Sequence, residues 1–326
     1  MDPILASLAP MAGYTDSTFR SICGRLGASS TTSEMISAVA LTRNDEKTAA
    51  LAEITEDEPP VFLQIFGHDP SIMAQAAEIL LSGSYKNCSY ASPPAGIDIN
   101  MGCPVRKIVS SGDGSALTRD IPLASAITAS VKEVCAAHSR PLSVKFRLGW
   151  DEDSINAAEF AVAMAKSGAD IITLHCRTKA QMYSPSARPD YCREVRQALD
   201  GEGFSSVALI GNGDIDSRKS AENYLSLGCS GISVGRAALG DPWLFSALAH
   251  PDTFVPPTLD ARIALMLEYL ETVVDKIGEV RGVRESRSRA AYLLHGIRGG
   301  AKVRDALNHA ETVSEFAAEL NKIKEI

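Results

Sequence analysis

Short apolar runs rich in β-branched residues recur along the first three quarters of the chain, and longer amphipathic stretches separate them. The runs predict eight strands, at about Ile4–Ala9, Ser30–Ser33, Val61–Ile65, Gly96–Ile99, Leu142–Phe146, Ile171–Leu174, Ser206–Ile210 and Gly231–Val234. The stretches between them repeat apolar residues every three or four positions, which predicts helices such as Pro70–Leu81, Pro122–Ala137, Ser154–Lys166 and Ser217–Leu227. Gly83, Gly168 and Gly228 stand where three of these helices should end.

Strands and helices therefore alternate eight times within about 248 residues, which is the size and order of a (β/α)8 barrel. An open doubly wound sheet would carry a nucleotide-binding fingerprint after its first strand. Neither G-x-G-x-x-G in that context nor G-x-x-x-x-G-K-[ST] is present. We predict an α/β fold, a (β/α)8 TIM barrel.

The pattern changes after residue 248. Three prolines, Pro251, Pro256 and Pro257, mark residues 249–258 as a linker. Beyond them the periodicity is helical only, through Ala261–Ile277, Arg284–Leu294, Ala301–Asn308 and Ser314–Lys324. The sequence thus predicts a barrel domain over 1–248 and a small C-terminal α-helical domain over 259–326.

Composition narrows the class of protein. Of the 326 residues, 45% are hydrophobic and 22% are charged, which excludes a wholly disordered chain. No apolar run is long enough for a membrane helix, and Asp2 stands where a secretory signal would carry a cation, so we expect a cytoplasmic protein. The seven cysteines include no C-x-x-C pair, so neither a disulfide framework nor a metal site is expected. Nothing requires more than a monomer.

Charge is unevenly distributed. The net charge of −8 argues against a uniformly basic surface, yet the segment Arg281–Arg304 holds seven basic residues and one acidic residue. A solvated helix face would explain such a run in most proteins. Contact with the phosphates of a nucleic acid is the alternative, and Arg287 and Arg289 are its candidate contacts.

Polar side chains follow nearly every predicted strand. In a barrel these positions meet at one face, where active sites form. The residues are Glu34, Gln64, Asn100, Cys103, Lys145, Arg147, His175, Arg177, Asn212, Asp214 and Arg236. Taken alone, each has an ordinary structural explanation, such as an ion pair for Lys145, a core imidazole for His175 or an inert thiol for Cys103. Their common placement predicts a functional pocket.

The last two strand ends carry a separate signal. Gly211–Asp214 and Gly235–Arg236 offer backbone N–H groups, a guanidinium and a following helix N-terminus. Such a combination is typical of a phosphate site in barrel proteins. We therefore expect a phosphate-bearing ligand.

Several short motifs together resemble the tRNA-dihydrouridine synthase family, over nearly the whole chain. They are Leu8–Asp16 with Phe19-Arg20, Ser33–Met35, the D-x-N-x-G-C-P run Asp98–Pro104 with Lys107, Gly112–Leu117, Val144–Trp150, His175–Thr178, Asn212–Ile215, Gly235–Gly240 and Tyr292–Ile297. The D-x-N-x-G-C-P run is the most specific of them.

The resemblance implies an FMN-dependent enzyme that reduces uridines in tRNA with NADPH, and it assigns residues to that chemistry. Cys103 would be the general acid. The cofactor-binding residues would be Pro10, Met11, Ala12, Gln64, Lys145, His175, Asn212, Gly213, Asp214, Gly235 and Arg236. Substrate contacts would come from Asn100, Arg147, Arg177, Arg287 and Arg289.

Three departures from the family pattern stand out. Cys176 follows His175 where a glycine is usual, the stretch Ser184–Tyr191 replaces a glycine and tryptophan pattern, and Ser84–Ala95 is an insertion that we place on the face away from the site.

Three other functions remain as alternatives: an FMN barrel that reduces a small pyrimidine or enone, a noncatalytic RNA-binding barrel, and an aldolase with Lys145 as its Schiff base. The aldolase is disfavoured because no neighbouring residue is evidently placed to lower the pKa of Lys145.

Overall fold

The computed structural model describes residues 2–84 and 89–325. It contains strands β1 (Ala6–Leu8), β2 (Ser30–Thr32), β3 (Ile36–Ser37), β4 (Val61–Phe66), β5 (Gly96–Met101), β6 (Leu142–Arg147), β7 (Ile171–His175), β8 (Ala208–Asn212) and β9 (Gly231–Val234). All neighbours pair in parallel, and β1 joins β9 to β2 while β2 joins β4, so the sheet closes on itself. The predicted TIM barrel is confirmed.

Strand β3 was not predicted. In β2, Thr31 pairs with Val61 of β4, whereas in β3 Ile36 pairs with Ile65. The stretch from Thr31 to Ile36 is therefore one residue longer than its partner stretch on β4, which is the signature of a bulge. The bulge carries Glu34 out of the ladder, where its carboxylate accepts a hydrogen bond of 2.7 Å from the backbone N–H of Gly13.

Helices pack around the barrel and follow it. They are α1 (Ser17–Arg25), α2 (Ala38–Thr42), α3 (Glu46–Ala50), α4 (Pro70–Ser82), α5 (Arg106–Val109), α6 (Ile121–Ala137), α7 (Ala157–Lys166), α8 (Tyr191–Gly201), α9 (Arg218–Ser226), α10 (Arg236–Gly240), α11 (Leu244–Ala249), α12 (Leu259–Ile277), α13 (Glu279–Leu293), α14 (Gly300–Leu307) and α15 (Val313–Asn321). Gly83 ends α4 in the left-handed conformation, with φ of 64°, as the sequence predicted.

Polar residues line much of the barrel interior. Large branched side chains occupy most TIM-barrel interiors. Here Ser7, Asp98, Ser143, Lys145, Thr173 and Ser233 line a cavity of about 250 Å³ together with apolar residues such as Phe62, Ile171 and Ile210. Asp98 is buried, and Lys145 is partly buried beside the same cavity.

Residues 250–258 contain no helix or strand, and helices α12 to α15 follow them. These helices lie against the barrel through polar contacts as well as apolar ones. The Tyr269 hydroxyl of α12 donates to Asp16 at 2.9 Å, and Lys276 lies 2.9 Å from Glu53. The boundary between the two predicted domains stays a prediction.

The predicted insertion is only partly described, since its residues Lys86 and Asn87 lie outside the described residues. Beyond them, Tyr90 pairs with Ile54, a residue that precedes β4. Ala95 then donates a backbone hydrogen bond of 2.7 Å to Val61 at the start of β4. These described residues therefore lie at the N-terminal ends of the strands.

Candidate functional site

Strand register brings the predicted polar residues to one end of the barrel. Asn100 of β5 is the register partner of Lys145 on β6. His175 of β7 is the partner of Arg147 on one side and of Asn212 on the other. Side chains of register partners in a parallel sheet point to the same face. The five residues therefore form two adjoining layers at the C-terminal end of the barrel interior.

A chain of hydrogen bonds leads from the barrel interior to Cys103. Gln64 donates to Asp98 at 2.6 Å, and its amide oxygen accepts from Asn100 at 2.8 Å. The amide oxygen of Asn100 in turn accepts from the backbone N–H groups of Gly102 at 3.1 Å and Cys103 at 2.9 Å. The amide oxygen of Asn100 thus holds the Cys103 backbone while its amide nitrogen bonds Gln64, and its predicted contact with substrate stays a prediction.

Cys103 is a protonated thiol at neutral pH. Partial burial raises its pKa above the usual value, although a hydrogen bond from the backbone N–H of Val105 and the charge of Arg147 both oppose the shift. A thiol in this state is suited to donating a proton and poorly suited to nucleophilic attack. Its placement agrees with the role of general acid that the family resemblance implies.

Arg147, a predicted substrate contact, is buried and bound to backbone carbonyls. It donates to Gly102 at 2.9 Å, Thr178 at 3.0 Å and Met182 at 2.8 Å. These bonds tie the loop after β5 to the loop after β7. The structure therefore shows Arg147 fixing the two loops that flank the site.

Lys145 lies inside the barrel, partly buried, and its ammonium group donates to the side-chain oxygen of Asn212 at 3.0 Å. Desolvation and the nearby charge of Arg147 together lower its pKa to about 8, although the charge of Asp98 opposes the shift. The sequence-based argument that nothing would lower the pKa of Lys145 was wrong. The pKa of Lys145 is therefore no argument against the aldolase alternative.

His175 is neutral at physiological pH. Burial lowers its pKa well below the usual value, and four cations around it, Arg147, Lys145, Arg177 and Arg236, lower it further. A neutral imidazole offers one donor and one acceptor. Hence His175 can orient a polar ligand, but it contributes no positive charge to an anion site.

The predicted phosphate site, formed by Gly211–Asp214 and Gly235–Arg236 and called the phosphate cradle from here on, is organised by Asp214. Its carboxylate accepts hydrogen bonds from Arg177 and from the backbone N–H of Ala187, and it lies 3.1 Å from Arg236. Burial would raise the pKa of Asp214, but these donors and the charges of Arg177 and Arg236 lower it overall. Asp214 therefore stays ionised and holds the two arginines. Arg177, a predicted substrate contact, is buried behind this carboxylate.

Two glycines lie at this end of the barrel. A Cβ at Gly235 would make only ordinary van der Waals contact, at 3.8 Å from the sulfur of Met11. Gly213 adopts φ of 126°, which a residue with a side chain rarely adopts, and a Cβ there would lie 2.9 Å from Ala187. Met11, in the loop after β1, therefore lies close to the start of the loop after β9.

Tyr183 belongs to this face, although no periodic pattern in the sequence indicated it. Its ring is 53% exposed and stands between Arg147 and Arg236, whose guanidinium carbons lie 5.8 Å and 4.9 Å from the ring centroid. Exposed aromatic rings beside cations are well suited to stacking on nucleobases. Asp98 was also missed, although its position two residues before Asn100 on the same strand places it on the inner face.

Cys176, the departure beside His175, points away from the site. Its sulfur is buried against α8, 3.5 Å from that of Cys192. A second departure from the family pattern, Ser184–Tyr191, lies against the phosphate cradle, since the backbone N–H of Ala187 donates to the Asp214 carboxylate. Among the described residues no cluster of His, Cys, Asp or Glu could hold a metal ion, and no helix is long and apolar enough to cross a membrane.

The structure does not bring Arg289 to an RNA-accessible surface, which corrects the sequence-based assignment. The guanidinium is buried between α13 and the barrel, where it donates to the carbonyl of Tyr14 at 2.5 Å and lies 3.2 Å from Asp16. It also stacks on the rings of Phe19 at 3.9 Å and Tyr269 at 4.3 Å. Arg289 is an anchor between the helices and the barrel.

Arg287 is half-buried and donates to the carbonyl of Ala310 at 2.5 Å, so it too has a structural partner. Other cations of the basic segment are exposed and make no ion pair within the described ranges, namely Arg284, Arg298 and Lys302. Tyr292 near the end of α13 packs edge-on against Tyr14, with ring centroids 5.6 Å apart. Arg298 and Lys302 therefore follow a segment that borders the site.

Comparisons with known proteins agree with this geometry. The family model described as "Dihydrouridine synthase (Dus)" matches residues 7–326. A "Probable tRNA-dihydrouridine synthase" from Rickettsia conorii is 33% identical, with 98% of this chain and 96% of that protein covered. A "tRNA-dihydrouridine synthase B" from Pseudomonas putida is 36% identical, with 93% of this chain and 86% of that protein covered.

Among solved structures, "X-structure of a variant of NCR from zymomonas mobilis" superposes with a TM-score of 0.50 at 13% identity, over 79% of this chain and 89% of that one. At this identity the likeness concerns the fold alone. The family match and the two relatives instead extend over nearly the full chain, and they confirm the resemblance carried by the short motifs. The chain belongs to the dihydrouridine synthase family.

Proposed function

We propose that this protein reduces particular uridines in tRNA to 5,6-dihydrouridine, with FMN as its cofactor and NADPH as the reductant. One observation carries the proposal. A protonated thiol, Cys103, is held by Asn100 at the same barrel end as a partly buried cation, Lys145. Reduction of an electron-poor double bond needs a proton donor beside a hydride donor, and the family match supports uridine in tRNA as the substrate.

The residues present fit FMN. The guanidinium of Arg236, which is nearly half exposed, suits a phosphate group, and the neutral imidazole of His175 can donate one further hydrogen bond. Lys145 suits the electron-rich pyrimidine edge of the flavin ring. Pro10, Met11 and Ala12 would cover the flavin, and Gln64, Asn212 and Gly213 would complete the binding site. Asp214 would act by holding Arg236, because its own carboxylate would repel a phosphate.

Bound FMN would supply hydride to carbon 6 of the uracil. Cys103 would then give its proton to carbon 5 of the same ring, and the raised pKa of this thiol keeps that proton available. Arg147 and Asn100 would keep the sulfur in place through the backbone of Gly102 and Cys103. After product release, the Cys103 thiolate would recover a proton from solvent.

A uridine within folded tRNA must leave its stack to enter such a pocket. Tyr183, between two arginines, offers a ring on which a displaced base can lie. The exposed cations Arg284, Arg298 and Lys302 would contact the phosphate backbone, and they replace Arg287 and Arg289 in that role.

A visible spectrum is the first test of the proposal. Purified protein that shows no bands of bound flavin, after incubation with FMN and removal of the unbound FMN, would contradict it.

FMN affinity is expected to depend on pH through Lys145. Because the pKa of this residue in the free protein is about 8, its ammonium group is charged below that pH and neutral above it. The dissociation constant of FMN should therefore rise as the pH passes through 8, and Lys145→Met should remove that rise. Fluorescence titrations of flavin-free protein between pH 6.5 and 9.5 measure it. A flat profile for the wild type would place Lys145 away from the flavin.

Replacing Arg236 by alanine is expected to weaken FMN retention by roughly tenfold to hundredfold, the usual effect of losing one hydrogen bond to a charged group. The fold should be kept, because the Arg236 side chain is nearly half exposed. Arg193→Ala on α8, which removes an exposed arginine of the outer surface, is the matched control. Flavin occupancy after extensive dialysis measures the effect, and full occupancy in Arg236→Ala would mean that the phosphate lies elsewhere.

A further inference from the structure

The loop that carries Cys103 folds back on itself and is closed by Ser115, whose backbone N–H donates to the carbonyl of Cys103 at 3.1 Å. Gly114 packs directly behind the cysteine. A Cβ on Gly114 would lie 2.9 Å from the carbonyl oxygen of Cys103 and 3.1 Å from its Cβ, which is closer than side chains approach. The position of Cys103 is therefore set partly by the segment Gly112–Ser115.

Backbone hydrogen bonds from Gly112 to Val109 and from Asp113 to Ile108 hold this segment, but two glycines give it conformational freedom. Gly112 and Gly114 both adopt positive φ angles, of 89° and 59°, and glycine has the widest conformational freedom of any residue. Between them lies Asp113, which is nearly buried and whose carboxylate points to a histidine outside the loop. Oδ1 of Asp113 lies 2.8 Å from Nδ1 of His68, a distance at which the ring N–H donates to the carboxylate.

His68 lies between strand β4 and helix α4, two regular elements of the barrel. It follows β4 and directly precedes Asp69, whose side chain accepts hydrogen bonds from Ser71 and Ile72 and so begins helix α4. The His68 ring also covers Gly112, since a Cβ there would lie 3.7 Å from the ring. The ring is about half exposed, at 51%, so its removal leaves little buried space.

We propose that His68 is a positioning residue for Cys103. It holds Asp113, and through Asp113 the segment Gly112–Ser115, against the backbone of the cysteine, so that the sulfur keeps its place beside the bound uracil. The proposal rests on the proposed role of Cys103 as proton donor. It predicts that loss of His68 slows the proton-transfer step while flavin binding and flavin reduction continue.

The test uses flavin-loaded, full-length protein and three variants. His68→Ala removes the contact, and His68→Asn keeps a donor near the position of Nδ1. His138→Ala is the matched control, because His138 pairs with Glu78 at 3.0 Å between outer helices α6 and α4. Three quantities are measured for each: the rate of flavin reoxidation by tRNA in a single turnover, the rate of flavin reduction by NADPH, and the rate of Cys103 alkylation by iodoacetamide, read by peptide mass mapping.

We expect His68→Ala to slow the tRNA-dependent step by roughly tenfold to hundredfold, the effect of a small displacement of a catalytic group. Alkylation of Cys103 should become several times faster as the loop loosens, while flavin reduction and the melting temperature stay near those of the wild type. His68→Asn should reverse most of both changes, and His138→Ala should match the wild type throughout.

Two results would overturn the proposal. One is a His68→Ala variant that matches the wild type in turnover and in alkylation. The other is slow turnover with unchanged alkylation, because His68 would then act on the reaction directly rather than through the loop. Failure of the wild type to reduce uridine would instead refute the proposed function, and the alkylation rates would still decide whether His68 holds the Cys103 loop.

Discussion

Replacement of Cys103 by alanine is expected to slow the oxidation of reduced flavin by tRNA by about 10²–10⁴-fold, the usual contribution of a general acid. The thiol keeps its proton at neutral pH because partial burial raises its pKa, whereas His175 is neutral and the Lys145 ammonium group donates to Asn212. Reduction of the flavin by NADPH should keep its wild-type rate. Single-turnover kinetics with pre-reduced enzyme separate the two half-reactions.

The matched control is Cys135→Ala, which makes the same change at a buried cysteine of helix α6. It should leave both half-reactions intact. A Cys103→Ala variant that oxidises as fast as the Cys135→Ala variant would remove Cys103 from the mechanism. Slow reduction by NADPH in Cys103→Ala would point instead to a disturbed flavin site.

Replacement of Arg289 by glutamine is expected to lower the free energy of unfolding by about 1.5–3 kcal/mol, because the hydrogen bond of the buried guanidinium to the Tyr14 carbonyl and its contact with Asp16, whose side chain is 34% exposed, are lost. The variant also loses the stacking of the guanidinium on Phe19 and Tyr269. Chemical denaturation followed by circular dichroism measures the change. Arg298→Gln, at an exposed arginine beyond the same helix, should unfold like the wild type.

The same two variants separate structural from RNA-binding arginines. Arg298→Gln should lower the slope of log affinity for tRNA against log salt by roughly 0.7–0.9, the value for one lost phosphate contact. Arg289→Gln should leave that slope unchanged as long as the protein is folded. Normal stability and a reduced slope in Arg289→Gln would instead restore the assignment first made from the sequence.

Much of the barrel could be predicted because its signals are local and repeated. Each long strand alternates along its length, so that Ser143, Lys145 and Arg147 of β6 share the inner face, and the order of the units gives the topology. Strand β3 was missed because two residues beyond a bulge carry no periodic pattern. Its pairing depends on β4, which is distant in sequence.

The assignment of Arg289 failed for a different reason. Charge alone suggested a surface role, yet Arg289 lies three or four residues from Ser286 and Leu293 and so falls on the buried stripe of α13. The helical spacing of the apolar residues in the sequence therefore already indicated that Arg289 is buried. The role of Asn100 could not be predicted in this way, because its partners are backbone groups of a loop whose path the sequence pattern does not specify.

The most direct test of the proposed function is one turnover with defined components. Enzyme reduced by NADPH and freed of excess reductant is mixed, without oxygen, with an unmodified tRNA transcript. We expect the flavin to reoxidise and the RNA to gain the mass of two hydrogen atoms at a single uridine, as mapped by mass spectrometry of nuclease fragments. A flavin that stays reduced with tRNA but reoxidises with a small pyrimidine or enone would contradict the proposed substrate.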